Sequence, residues 1–321
     1  MRSLLLLFIA ATLSGCGIPS FLITPVQNAN TFEEVRVEEG KGWKSGKIAL
    51  IEVEGMLINA KTSGFLQGTE NPLSNFTQQM ERAAKDDAVR AVVLRINSPG
   101  GTVTTSDAMY EIVRRFRQKT RKPVVAACQE VAASGGYYVS LAADRIVAQP
   151  TSVIGSIGVI FNTFNFEGTM NKIGARSEAI KSGPLKDMGS PLKALTDQER
   201  EVMQGMVDEY YQRFVTVVRD HRLLADSEQL KLVTDGRVFS GAQAKDLALI
   251  DDLGLLEDAI DIARRLAGAP GAKVVMYKRP YGYRGSIYAQ SDIPEPRAQV
   301  TKLELPGGPL LPSGFYYLWN P

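Results

Sequence analysis

Histidine is almost absent from this chain: 321 residues carry one, His221. A Ser-His-Asp triad would have to use it. It stands between Asp220 and Arg222 at the polar end of a long amphipathic stretch, where a solvent-facing place is expected. Cysteine is nearly as scarce, with only Cys16 and Cys128. Two such residues support no disulfide framework, and without a Cys/His cluster there is no zinc site. Neither a metal nor a cofactor is expected. Cys128 closes the apolar run Val124-Val-Ala-Ala-Cys128 and reads as a small buried hydrophobe. Charge of one sign is also missing. The 37 basic and 35 acidic residues leave a net charge of +2, which argues against a nucleic-acid surface.

Long apolar runs are missing as well. The most apolar stretch, Leu4 to Leu13, follows the single charge of Arg2 and is too short to span a bilayer. It reads as a targeting signal over 1–15. Leu13-Ser-Gly-Cys16 at its end resembles a bacterial lipobox. That resemblance implies cleavage before Cys16 and lipid on the new N-terminus, holding the protein at a membrane on the extracytoplasmic side of the bacterial cell envelope. Residues 16–46, with Pro19, Pro25, Asn28 and Asn30, read as a tether.

What is present is an alternating pattern. Lys47–Gly55 reads as a strand and 56–71 as a loop. Pro72–Asp86 has helical spacing of Leu73, Phe76, Met80 and Ala83. Val89–Ile96 is a second buried strand running into an Asn97–Gly101 loop, and Ser106–Gln118 is the next helix. Pro123–Cys128 and Arg145–Ala148 continue the strands. Thr196 caps a long helix to about Arg222, Ser240 caps another, and Leu253–Ala267 is the last clear helix. Strands and helices joined by short links predict an α/β fold with mainly parallel strands and functional loops at strand C-terminal ends. One domain is expected over 47–277. The segment 278–321 is rich in proline and extended, yet Gly314-Phe-Tyr-Tyr-Leu-Trp319 is strongly apolar, so this tail is expected to dock, near a substrate groove, at a subunit contact or on the surface of its own domain.

One strand-to-helix turn draws attention. Ser134-Gly135-Gly136 follows the Cys128 strand and opens a segment with apolar residues at helical spacing. A serine there is expected to have an exposed hydroxyl, little neighbouring bulk and free helix N–H groups, which suit a nucleophile that generates an oxyanion. The alternative is a plain N-cap with glycines for close packing. If Ser134 is a nucleophile, lysine can be its base only when its charge is suppressed. Lowering a lysine pKa by ~3 units costs roughly 4 kcal/mol and needs a dry pocket. The loop 181–191 holds the candidates Lys181 and Lys186.

Five segments occur in a telling order: Asn97-Ser-Pro-Gly-Gly101, Ala132-Ala-Ser-Gly-Gly-Tyr-Tyr138, Gly155-Ser-Ile-Gly-Val159, Lys181-Ser-Gly-Pro-Leu-Lys-Asp187 and Asp235-Gly-Arg-Val-Phe-Ser-Gly-Ala-Gln-Ala244. Together they resemble the S49 family of serine proteases, the signal peptide peptidase A type in its short, single-copy form. The resemblance implies a ClpP/crotonase-like fold and a Ser/Lys dyad. Ser134 matches the nucleophile, Lys186 the general base (Lys181 being its competitor) and Ser156 the serine that orients the lysine. The N–H groups of Gly101 and Gly135 match the oxyanion hole. Asp187 has to point away, since a carboxylate beside the base raises the lysine pKa. The resemblance also implies extended peptide substrates, notably cleaved signal peptides, and a homo-oligomeric ring whose sites are shared between neighbours. A lipid anchor departs from the family's usual transmembrane helix. Two other readings are a crotonase-type enzyme acting on acyl-CoA and a non-catalytic lipoprotein scaffold.

Overall fold

The computed structural model describes residues 32–41, 46–60, 71–224, 226–279 and 314–319. The signal over 1–15, Cys16 and most of the tether and tail lie outside these residues. Within the expected tether, however, Glu33–Glu38 forms strand β1, antiparallel to Lys273–Lys278, which is β10. The alternation Val35, Val37 between charged residues is the half-buried edge-strand pattern that a tether reading overlooks.

The centre of the sheet is parallel. Lys47–Leu57 (β2), Val89–Thr102 (β3), Val124–Ala133 (β4) and Arg145–Ala148 (β5) pair in that order. The full path is β1-β10-β2-β3-β4-β5-β9, where β9 is Asp252–Leu253. The central strands are continuous apolar runs because both faces are covered. On one face Ala49, Ile51, Val92, Leu94 and Ala126 meet Phe76 and Met80 of Pro72–Lys85 (α1), Met109 and Val113 of Val103–Thr120 (α2), Gly135–Ser140 (α3) and Phe214 and Val218 of Asp197–His221 (α5). On the other face Ile48, Leu50, Ala91, Val93 and Val125 meet Leu256, Ala259, Ile260 and Ala263 of Leu256–Leu266 (α8). Side chains of period two thus feed two separate cores.

Two strands run further than their apolar runs suggest. β3 continues through Asn97-Ser-Pro-Gly-Gly101 to Thr102, and β4 continues through Gln129 to Ala133. The expected Asn97–Gly101 loop is therefore strand, because it has partners: Met56 and Leu57 on one side, and on the other Gly314–Leu318, which is β11. β11 also pairs with Ile160–Asn162 (β7). The end of β4 pairs with Val153–Gly155 (β6), which in turn pairs with Val238–Ser240 (β8). Two short helices, Glu167–Lys172 (α4) and Ser227–Val233 (α6), span six and seven residues, too few to show a helical period in the sequence. Ser240 caps Gly241–Asp246 (α7) with a capping box. The end read as helix at Leu253 belongs to β9, and α8 starts at Leu256. No helix among the described residues is long and apolar enough to cross a membrane.

Candidate active site

Ser134 sits where β4 turns into α3, and its backbone takes φ 51° and ψ −114°. That is a costly region for a residue with a Cβ. A strand-to-helix elbow of this kind puts a serine at the tip of a sharp turn. Two hydrogen bonds hold it there. The Ser134 N–H donates to Gly155 O at 2.7 Å, and Tyr138 N–H donates to Ser134 O at 2.8 Å. The glycines around it are required by contact. A Cβ on Gly136 would lie 2.6 Å from Ser98 O, and one on Gly100 would lie 2.7 Å from Gly135 N. The two glycine segments are thus packed backbone to backbone, which brings Gly101 and Gly135 to one place. Asn97 and Ser98 fasten the same corner. Val131 N–H donates to the Asn97 side chain at 3.2 Å, Gly100 N–H donates to Ser98 Oγ at 3.1 Å, and Ser98 Oγ–H donates to Gly55 O at 2.6 Å.

Ser134 is buried rather than exposed, at 1%. No hydrogen bond of its hydroxyl is found among the described residues. Ser156 follows Gly155, so the contact that holds Ser134 also fixes Ser156 beside it. Ser156 is buried, has a positive φ of 50° and donates its N–H to Arg237 O at 2.7 Å. It lines a groove of about 390 Å³ with Gly158, Val207, Tyr211, Asp235 and Leu318. A larger cleft of about 930 Å³ lies at the start of the strands, around Lys47, Arg90 and Lys273. It contains none of the sequence candidates, and Lys47 there is tied to Glu34 and Asp86.

The lysine loop is anchored elsewhere. Asp187 accepts from Lys181 at 2.7 Å and from Lys193 at 2.9 Å. Lys193 also bonds Glu199, which closes the capping box of α5 with Thr196. The two ammonium groups hold the Asp187 carboxyl down at about 2. Asp187 therefore turns toward Lys181 and Lys193. Lys186 is exposed, and among the described residues its ammonium has no hydrogen bond or ion pair. Among the described residues of one chain no dry pocket surrounds it, and no hydrogen bond links Lys186 to Ser134 or Ser156.

His221 is not solvent-facing as its neighbours suggested. It is half-buried, with Nε2 2.7 Å from the Tyr110 hydroxyl and the rings edge to face. Burial lowers its pKa. Cys128 is buried and free, its thiol pushed up to about 12 by burial. Among the described residues no group of His, Cys, Asp or Glu could hold a metal ion.

Sequence reasoning missed the aromatic floor beside Ser134. Tyr138 of α3 and Phe214 of α5 meet edge to face at 4.9 Å, and Tyr138 donates its hydroxyl to Asp107 at 2.7 Å. The signal available was the double tyrosine after the glycines, but which helix it faces depends on tertiary packing.

Comparison with known proteins agrees with this geometry. The model of peptidase family S49 matches residues 116–269, and that of Clp protease matches 65–154. A protein of Enterococcus faecium named for signal peptide peptidase SppA is 35% identical over 250 residues, covering 78% of this chain and 72% of the relative. A protease-named protein of Synechocystis is 36% identical over 228 residues, covering 71% of this chain and 77% of the relative. The chloroplast serine protease SPPA of Arabidopsis thaliana is 32% identical over 233 residues, covering 71% of this chain but 34% of the relative. These matches decide against the acyl-CoA and scaffold readings. With an α/β, ClpP-like sheet and a strained serine elbow between two glycine segments, the chain belongs to peptidase family S49 and is a serine peptidase.

Proposed function

We propose that this chain is a membrane-anchored serine endopeptidase of the bacterial envelope, tethered by lipid on Cys16, that cleaves extended peptides such as released signal peptides with a Ser134/Lys186 dyad completed between neighbouring copies. The carrying observation is the Ser134 elbow, held at φ 51° between the two glycine segments with its side chain bonded to no described residue, while Lys186 is exposed and makes no ion pair with a described residue. Lys181, the rival base, is tied to Asp187 and Pro184 O. Burial against a second copy supplies the desolvation that a neutral base requires. The arm around Lys186 suits such a contact, since Phe166, Ile173, Ile180 and Leu192 are exposed apolar residues on it.

In this reading Ser134 Oγ attacks the peptide carbonyl carbon as its proton passes to Lys186 Nζ. The carbonyl oxygen becomes an oxyanion and accepts from the N–H groups of Gly101 and Gly135. Collapse breaks the C–N bond, and the lysine returns its proton to the leaving amine. The Ser134 ester is then hydrolysed by water, with Lys186 again the base. Ser156 holds the lysine side chain. Signal peptides enter as substrates through the name of the Enterococcus relative.

Co-expression of Ser134→Ala and Lys186→Ala chains tests the shared dyad. With random mixing in a head-to-tail ring, about one site in four receives both intact groups, so about a quarter of the parent activity is expected to return. Verified mixed assemblies without activity would place the dyad inside one chain.

A further inference from the structure

The segment Asp235-Gly236-Arg237 reaches the site through a single peptide group. The carbonyl of Gly155 and the N–H of Ser156 belong to one planar unit. Its carbonyl accepts from Ser134 N–H at 2.7 Å, and its N–H donates to Arg237 O at 2.7 Å. Both serines it serves carry positive φ, 51° at Ser134 and 50° at Ser156, a region that residues with a Cβ leave unless neighbours hold them there. Gly155 itself has φ 103°, and a Cβ on it would lie 3.1 Å from Arg237 O. Turning the 155–156 peptide over would carry Ser156 out of the positive-φ region and break both bonds together. The strained orientation therefore lasts only while Arg237 O is held in place.

Arg237 stands just before β8, whose Val238, Phe239 and Ser240 pair with Gly155, Ile154 and Val153 of β6. The turn that leads into it is fixed at two points. At its start Thr234 is buried, and its carbonyl accepts from the Tyr211 hydroxyl of α5 at 2.9 Å. Across its tip Asp235 closes on Arg237. Asp235 Oδ1 accepts from the Arg237 N–H at 3.1 Å and from Nε at 2.9 Å, and Oδ2 accepts from Nε at 2.8 Å. An aspartate that accepts the N–H two residues on replaces one arm of a backbone turn and fixes the peptide planes between. Gly236 supplies φ 93° at the tip. Asp235, Gly236 and Arg237 are all exposed, so hydrogen bonds rather than packing set this turn. The guanidinium bonds hold the Asp235 carboxyl below the usual carboxylate range, which keeps it an ionised acceptor at neutral pH.

We propose that Asp235 is a positioning residue for the peptidase reaction: by closing the turn on Arg237 it aims the Arg237 carbonyl at the Ser156 N–H, and so holds the one peptide group that sets both Ser134 and Ser156. The proposal rests on the roles proposed for these two serines. Asp235 needs no contact with the reacting atoms. Its carboxylate acts through Arg237 O, then through the 155–156 peptide, then through Ser134 N–H. A nucleophile displaced by a fraction of an ångström is felt in turnover, whereas β3 lies outside this chain of bonds and keeps its place.

The test uses the full chain and separates the turn from the charge. Asp235→Ala removes the acceptor for the Arg237 N–H, while Asp235→Asn keeps that acceptor and removes the charge. In steady-state hydrolysis of one fluorogenic peptide, Asp235→Ala is expected to lower kcat at least about tenfold with KM within about twofold. Asp235→Asn is expected to stay within about threefold of the parent in both. An unchanged kcat in Asp235→Ala, an equal loss in Asp235→Asn, or a loss carried by KM overturns the proposal. If Asp235→Ala does not fold by circular dichroism, Gly236→Ala takes its place. The added carbon meets nothing within 4 Å but opposes φ 93°, so a loss of kcat of about fivefold at constant KM is expected, and an unchanged kcat overturns the idea. Failure of the nucleophile reading shows separately, as a parent chain that a fluorophosphonate does not label at Ser134. The positioning is then read from amide hydrogen exchange, residue by residue. Asp235→Ala is expected to speed exchange at both Ser134 and Ser156 about tenfold while the β2 amides stay unchanged. Equal exchange in the two chains overturns the proposal.

Discussion

The backbone N–H of Ser134 donates to the carbonyl of Gly155 at 2.7 Å. This one bond ties the end of β4 to the end of β6. It explains how a serine with φ 51° is held and why Ser156, the next residue along, is beside it. The proposed nucleophile and the residue proposed to orient its base are thus placed by the same hydrogen bond, although 22 positions separate them in the chain.

Ser134→Ala and Lys186→Ala are each expected to remove peptide hydrolysis, with a loss of at least about 1,000-fold in kcat/KM and no change in melting temperature. Lys181→Ala is expected to act differently. It frees Asp187 from one of its two partners, so activity drops partially through loop disorder. Steady-state kinetics on a peptide substrate separates the two. A Lys181 variant as dead as the Ser134 variant, beside an active Lys186 variant, would exchange the roles of the lysines.

Gly136→Ala is expected to destabilise by about 1–3 kcal/mol, because its Cβ meets Ser98 O at 2.6 Å, a backbone atom with little room to yield. Gly205→Ala is the contrast. Gly205 lies inside α5 with nothing within 4 Å of the added carbon, so the substitution is expected to stabilise by about 0.5–1 kcal/mol. Urea denaturation of the pair checks both, and equal effects would contradict the packing of the two glycine segments.

His221 supplies a pH dependence of stability. Burial lowers its pKa in the folded chain below that of the unfolded one, so the unfolded state binds the extra proton first. Its contribution is full above about pH 6.5 and is lost as the pH falls through that value toward the folded pKa. Melting temperature measured from pH 8 to pH 5 is expected to fall less for His221→Asn than for the parent. Peptide hydrolysis by His221→Ala should stay close to the parent rate, because the ring bonds Tyr110 and not Ser134. Loss of activity in a folded His221 variant would remove the lysine base.

Cys16→Ser is expected to release the protein from membranes or to leave its precursor uncleaved. Fractionation and mass spectrometry of the mature N-terminus check this. Salt-resistant membrane association without lipid on residue 16 would refute the anchor.

Much of the architecture was legible in the sequence. Continuous apolar strands, capped amphipathic helices and glycine-rich strand ends follow from local rules, and they led to the parallel sheet and to the Ser134 turn, whereas Gly101 and Gly135 entered through the resemblance. What local rules misjudged were segments whose state depends on a distant partner. Asn97-Ser-Pro-Gly-Gly101 has loop composition, yet it is strand because Leu57 and Tyr317 lie on either side of it. Glu33–Glu38 has the charge of a tether, yet it is strand because β10 has a free edge there.

By itself, then, the sequence determined the chemistry this protein can perform. One histidine and no Cys/His cluster disfavoured a histidine triad and a zinc site, and the order of the five motifs carried the resemblance to family S49, which implies the proposed Ser134/Lys186 dyad. The tertiary structure decided their relations. Only folding could show that Asp187 is taken by Lys181 and Lys193, that Lys186 is exposed with no ion pair among the described residues, and that the tail strand pairs with Gly100 and Gly101 of β3. Each of these is a choice among partners far apart in the chain, settled by which charges and ring faces the sheet brings within reach. Residue spacing alone carries no information about that choice.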